Sequence, residues 1–214
     1  MEKQFESKNI EEAIEIACKD LNVSKEEFDF VVVQEQVKGF FGIGSKNAII
    51  KVTLNDNYNL KAILEFLSKT LSFYGQNPEI KVETIKPMAC YSVKVSSDEP
   101  LSNLIGKHGH TMESIEHLLS VYVNKLNDHH VSITLDVSEY RIKREEFVKR
   151  IVNEAIQKVK KDENRKVSLE PMDSHERKIA HEILSHNADI RSYSVGSEPY
   201  RHIVIENAKI RISK

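Results

Sequence analysis

Residues Gly106, Lys107, His108 and Gly109 are the part of this 214-residue chain best suited to holding a phosphate. Two glycines three apart let a chain turn sharply and let a sugar-phosphate backbone come close, with no Cβ in the way. Backbone amides at the start of a following helix would then face the phosphate, and Lys107 would add charge. The elements needed on either side are present. Leu101-Ser102-Asn103-Leu104-Ile105 reads as a short amphipathic helical turn, and Met112, Ile115, Leu118, Leu119 and Tyr122 repeat at helical spacing after it. The alternative is a plain turn joining two helices, which a G-x-x-G alone does not exclude.

A second pair, Arg177 and His181, follows Pro171-Met172-Asp173-Ser174, which opens a helix. Four residues apart, the two share one helical face. A guanidinium can grip phosphate with two hydrogen bonds or stack on a base, and an imidazole can stack and donate. The competing reading is a solvated helix face, or a His181 packed against a sheet as a structural residue. Arg201 and His202, in an expected strand Arg201–Ile205, are secondary candidates that could extend a basic surface. A third constellation is the loop Lys38-Gly39-Phe40-Phe41-Gly42-Ile43-Gly44-Ser45-Lys46. Its glycines could serve a tight connection only. Equally, Phe40 and Phe41 between Lys38 and Lys46 could offer stacking surface and charge to a ligand, or an apolar patch to a protein.

The segments around these residues form three small modules of an α+β chain, at 1–54, 58–137 and 138–214. In the first, Asn9 with Glu12 and Ser24 with Glu27 have capping-box spacing around the stripe Ile10, Ala13, Ile14, Ala17 and Leu21. With strands at Lys3–Ser7, Phe28–Val33 and Ala48–Leu54, the order is strand, helix, strand, strand. In the second, Leu60, Ile63, Leu64, Leu67 and Leu71 form a helical stripe, and Ile80–Ile85 and Tyr91–Val95 alternate as strands. The G-x-x-G follows with its helices, then Val131, Ile133, Leu135 and Val137 as a last strand. In the third, the stripe Tyr140, Phe147, Ile151, Ala155, Ile156 and Val159 ends near 160–166. The Arg177 helix and strands at Ile190–Val195 and Arg201–Ile205 complete it.

The net charge of −2 excludes a uniformly basic coat, so a nucleic-acid surface must be local. It is sought in residues 138–214, where 17 basic residues outnumber 13 acidic ones. Cys18 and Cys90 make neither a metal knuckle nor a disulfide framework. Nine histidines include His108 and His110, but no ligand spacing such as H-E-x-x-H, so no metal and no cofactor is expected. With no nucleophile elbow or P-loop, the chain is not read as an enzyme. The start Met1-Glu2-Lys3-Gln4 opens no apolar run and no stretch approaches a membrane span, so a cytoplasmic protein without membrane insertion is expected.

Two resemblances sharpen this reading. Residues 58–137 resemble a KH domain of the second, prokaryotic type, in which helix, strand, strand, helix, G-x-x-G, helix and strand follow in that order. Such a groove would clamp about four nucleotides, with Gly106 to Gly109 on the phosphates and Ile105 and Val95 as an apolar wall. The loop Lys38–Lys46 resembles the signature of the Jag N-terminal domain of the bacterial Jag (KhpB) family, whose members continue with a KH domain and an R-x-x-x-H (R-three-H) domain. The resemblance implies that Arg177 and His181 bind single-stranded RNA, or single-stranded DNA. It also implies an RNA chaperone or post-transcriptional regulator with a small single-KH-domain protein as partner, linked to cell-wall homeostasis and cell length. Family members often carry a long charged linker after the first domain. Here Leu54-Asn55-Asp56-Asn57-Tyr58-Asn59 is all there is, so the first module is expected to pack on the KH module or on another subunit. A homo-oligomer is open on this reading. The alternative function is a protein-interaction scaffold in which the KH-like and N-terminal modules dock protein partners.

Overall fold

A computed structural model describes residues 2–37, 45–75, 77–85, 89–162 and 165–208. The fold is α+β, and the chain divides into two compact units, Met1–Ser138 and Glu139–Lys214.

The first unit begins with strand β1 (Glu2–Ser7), helix α1 (Ile10–Leu21) and strands β2 (Phe28–Gln34) and β3 (Ala48–Leu54), which form an antiparallel sheet in the order β1-β3-β2. The Asn9 side chain caps α1 by accepting the Glu12 amide at 2.8 Å. Ala13, Ile14 and Ala17 then face Phe5, Phe28, Ile50 and Val52 in a small core. Ser24 and Glu27 do not belong to a helix of that size. They open a single 3₁₀ turn, Lys25–Glu27, where the Ser24 amide donates to the Glu27 carboxylate at 2.9 Å.

Helix α2 (Asp56–Ser72) follows at once, and the first module packs on its start. The Asn55 amide and the Asn57 side chain donate to the carbonyls of Glu27 and Glu26, and Lys61 pairs with Glu27 at 2.8 Å. Burial pushes the Glu27 carboxyl up, but Lys61 and the Ser24 amide outweigh it and leave the group below the ordinary carboxylate range. The short connection therefore acts as a joint.

Strands β4 (Glu79–Ile85) and β5 (Cys90–Ser96), helices α3 (Ser102–Ile105) and α4 (His110–Leu126) and strand β6 (Ser132–Val137) complete the unit. The sheet order is β4-β5-β6, with β4 and β5 antiparallel and β5 and β6 parallel. One face of β5 and β6 buries Tyr91, Val93, Val95, Ile133, Leu135 and Val137, while Lys94, Ser132 and Thr134 on the other face water. From α4, Asn124 takes both the amide and the carbonyl of Val131, and Glu116 accepts the Leu135 amide at 2.6 Å. Backbone groups on this edge of the sheet are thereby satisfied by side chains.

The second unit contains α5 (Tyr140–Lys161), β7 (Val167–Ser168), α6 (Ser174–Ser185), β8 (Ile190–Val195) and β9 (His202–Asn207). Its sheet order is β7-β9-β8, all antiparallel. The two-residue β7 was not expected from the sequence, and Arg201 precedes β9 rather than lying in it. The α5 stripe also differs from expectation: Val148 and Val152 are buried with Ala155, Ile156 and Val159. Phe147 instead lies between the guanidinium groups of Arg144 and Arg150, 5.0 and 5.2 Å from its ring centre.

Candidate nucleic-acid interface

The G-x-x-G turn sits where α3 gives way to α4. Gly106, His108 and Gly109 all have positive φ, at 72°, 55° and 87°. The Gly106 amide closes α3 onto the Ser102 carbonyl at 2.8 Å. A Cβ at Gly106 would meet Thr111 Oγ1 at 2.1 Å and Thr111 Cβ at 2.7 Å, so the turn and the first turn of α4 fit only with glycine there. At the start of α4, Gly109 occupies the capping position and no side chain caps the helix, in contrast to α1 and α6. The Gly109 and His110 amides donate to the carbonyls of Gly106 and Lys107, which leaves the next amides of the first turn, and the dipole behind them, without a side-chain cap. Lys107 is exposed beside them, and His108 is half-buried. Ile105, half-buried, is on hand as an apolar neighbour, but Val95 is 1% exposed in the central strand and lines no groove. Alternation in β5 turns Val95 inward, so that expectation is corrected.

In the second unit α6 begins with a full capping box: Asp173 accepts the Glu176 amide at 2.8 Å, and Glu176 accepts the Asp173 amide at 3.1 Å. This fixes the helix on which Arg177 and His181 stand. Both look toward protein rather than water. Arg177 is buried, with Nη1 donating to the Met172 carbonyl at 2.5 Å and Nη2 paired with Glu198 at 2.8 Å. Half-buried His181 has Nδ1 3.0 Å from the Ser192 hydroxyl and Nε2 3.0 Å from that of Ser194, both on β8. Burial, and then the neighbouring Arg177 charge, hold its imidazole below the ordinary value and hence neutral at pH 7. Arg201 is exposed, and its carbonyl accepts the amide of Met172, the residue whose carbonyl holds Arg177, at 3.1 Å. The sequence therefore brought Arg177, His181 and Arg201 into one neighbourhood, but the open guanidinium expected at Arg177 is engaged by the fold.

Ser192, Ser194 and Glu198 escaped the sequence reading. The serines were legible in principle, because alternation along β8 puts both on one face. Glu198 had no local signal beyond its turn. Of the first-module loop, Lys38, Phe40 and Phe41 lie outside the described residues. Exposed Lys46 is tied to Val37 by amide–carbonyl bonds in both directions at 3.0 Å, closing the base of that loop. Just before it, β2 exposes Phe30, Val31, Val32 and Val33, an apolar run on an edge strand. Among the described residues no group of histidine, cysteine and carboxylate side chains could hold a metal ion, and no helix is long and apolar enough to cross a membrane.

Family comparison bears on both units. Residues 5–54 match the model of the Jag N-terminus, and residues 146–207 match that of the R-three-H domain. The RNA-binding protein KhpB of Clostridium symbiosum is 34% identical over 199 residues, covering 93% of this chain and 88% of the relative. The chain belongs to the Jag (KhpB) family. Another KhpB, from Bacillus subtilis, is 30% identical over 207 residues, 94% of this chain and 96% of its own. That of Lactiplantibacillus plantarum is 37% identical over 102 residues, 48% of this chain and 31% of the relative. For this KhpB-family chain, the N-terminal match ends with β3, and the R-three-H match begins inside α5 and takes in Arg177, His181 and Arg201.

Proposed function

We propose that this chain binds single-stranded RNA at two places, the G-x-x-G turn of a type II KH module at 58–137 and the Arg177–His181 region of the R-three-H module at 138–214. The observation that carries the reading is the uncapped start of α4, with positive-φ glycines before it and exposed Lys107 beside it. A phosphate held there by backbone amides is read through geometry and charge, which gives weak, sequence-tolerant contact. In the second module His181 rests on Ser192 and Ser194 of β8, and exposed Arg201 precedes β9. Two weak sites on one chain reinforce each other, because binding at the first raises the effective concentration at the second. The names of the relatives, RNA-binding protein KhpB, support this reading. The post-transcriptional and RNA-chaperone role, the small single-KH-domain partner, the cytoplasmic location and the link to cell wall and cell length rest on the family alone. Nothing in this reading calls for catalysis.

The test is fluorescence anisotropy of a labelled single-stranded RNA across a salt series, with wild type and Lys107→Asp/His108→Asp. Binding weakened about tenfold or more in the folded variant, with a shallower salt slope, supports the reading. Unchanged affinity overturns the role of the turn. A scaffold reading draws on different residues: Phe30, Val31 and Val33 on the β2 edge, and exposed Phe73 near the stacked Phe66–Tyr122 pair. RNA binding that survives while a protein partner is lost in the same variant would favour it.

A further inference from the structure

The two anchors of Arg177 differ in kind. The Met172 carbonyl belongs to a buried residue whose own amide is bonded to Arg201, so the fold fixes it. Glu198 is different: its side chain is 57% exposed, on a surface turn closed by the Tyr200 amide on the Ser197 carbonyl at 2.9 Å. That turn leaves β8 through Gly196, whose φ of +89° suits glycine. A buried guanidinium thus has one immovable partner and one exposed, anionic partner.

We propose that the position of the Glu198 carboxylate is a phosphate subsite for single-stranded nucleic acid, and that Glu198 is its built-in competitor. The proposal rests on the RNA-binding reading above and adds how Arg177 takes part in it. A buried cation stripped of its anion is strongly unfavourable, so Arg177 requires a counter-charge at Nη2 at all times. Exchange meets that requirement. Phosphodiester and carboxylate oxygens present the guanidinium with the same acceptor chemistry. The displaced Glu198 side chain, already more than half in water, swings out at little cost in desolvation. Neutral His181 and exposed Arg201 nearby add no second anion to repel the incoming phosphate. The arrangement keeps the intact guanidinium satisfied in the absence of ligand and holds affinity at this subsite down, since every phosphate must displace a carboxylate.

The test uses the full chain with a labelled oligouridylate, comparing wild type, Glu198→Gln and Glu198→Asp, with folding followed by circular dichroism. Glu198→Gln removes the competing charge, and binding is expected to tighten about tenfold, the worth of one charge-assisted hydrogen bond. Inorganic phosphate is expected to raise the melting temperature of Glu198→Gln more than that of wild type. Glu198→Asp, one methylene shorter, should fall between the two and serves in place of Glu198→Gln should the latter not fold. If wild type binds and the folded variants bind equally or more weakly, the subsite proposal is overturned while the RNA reading stands. If none of the three binds, both fall. Binding by Glu198→Gln alone would sustain the subsite and shift the weight from the G-x-x-G turn to Arg177.

Discussion

Replacing Gly106 by alanine should damage the protein before it damages binding, and the amount can be worked from the turn. At φ +72° and ψ −177° the residue occupies a region essentially confined to glycine, where another residue costs about 1–3 kcal/mol. The added Cβ would also lie 2.1 Å from Thr111 Oγ1, 2.7 Å from its Cβ and 3.0 Å from its amide nitrogen. The hydroxyl can rotate away, whereas the other two atoms move only with the first turn of α4, an overpacking cost of about 1–3 kcal/mol. Gly106→Ala should therefore lose about 2–6 kcal/mol in urea denaturation of the full chain. Of the three contacts, Thr111→Ala keeps those to Cβ and the amide nitrogen and removes only that of the rotatable hydroxyl, so combining it with Gly106→Ala should be close to additive and leave the full cost in place. Gly109, at φ +87° and ψ 0°, lies in the left-handed region that asparagine enters, so the backbone conformation alone contributes less than about 1 kcal/mol to the cost of Gly109→Asn. A Gly106→Ala protein within about 0.5 kcal/mol of wild type would refute the geometry, and with it the claim that this turn is built to one shape.

Glu176→Ala should cost about 3–5 kcal/mol, because it removes the buried carboxylate that pairs with half-buried Arg144 at 2.6 Å as well as breaking the α6 capping box; urea denaturation of the second unit's signal checks this. A loss under about 1 kcal/mol would mean that Glu170, 3.4 Å from Arg144, takes over the pairing. For His181 the folded imidazole resists protonation relative to its ordinary 6.5, so the unfolded state binds the extra proton as pH falls. Its contribution is fully present above pH 6.5 and is lost on acidification toward the lower folded value. The stability difference between wild type and His181→Gln should therefore shrink between pH 7 and pH 5, and a difference constant with pH would contradict the buried, neutral assignment.

Periodicity made most of this fold legible. The stripe Met112, Ile115 and Leu119 gave α4, and alternation gave β5 and β6, because one buried face each dictates apolar spacing. The same rule failed on α5 where chemistry covered an apolar group without burying it: two arginines shield Phe147, so the true stripe runs one residue later, through Val148 and Val152. β7, with two residues, is too short to carry a period. Arg177 is the instructive case. Its charge argued for water, yet it stands three residues before Ala180 and seven before Leu184, on the buried stripe of α6 itself. Spacing from His181 placed the pair on one face, and the apolar neighbours on that face said which way it points. A cation on such a stripe must meet its anion inside the fold, and that anion came from Glu198, in a turn beyond β8 that no local pattern links to the helix. An R-x-x-x-H spacing thus specifies proximity, while the state of its arginine is set by whichever anion the tertiary fold delivers, which is why Glu198 rather than the motif is the position to mutate for a gain in binding.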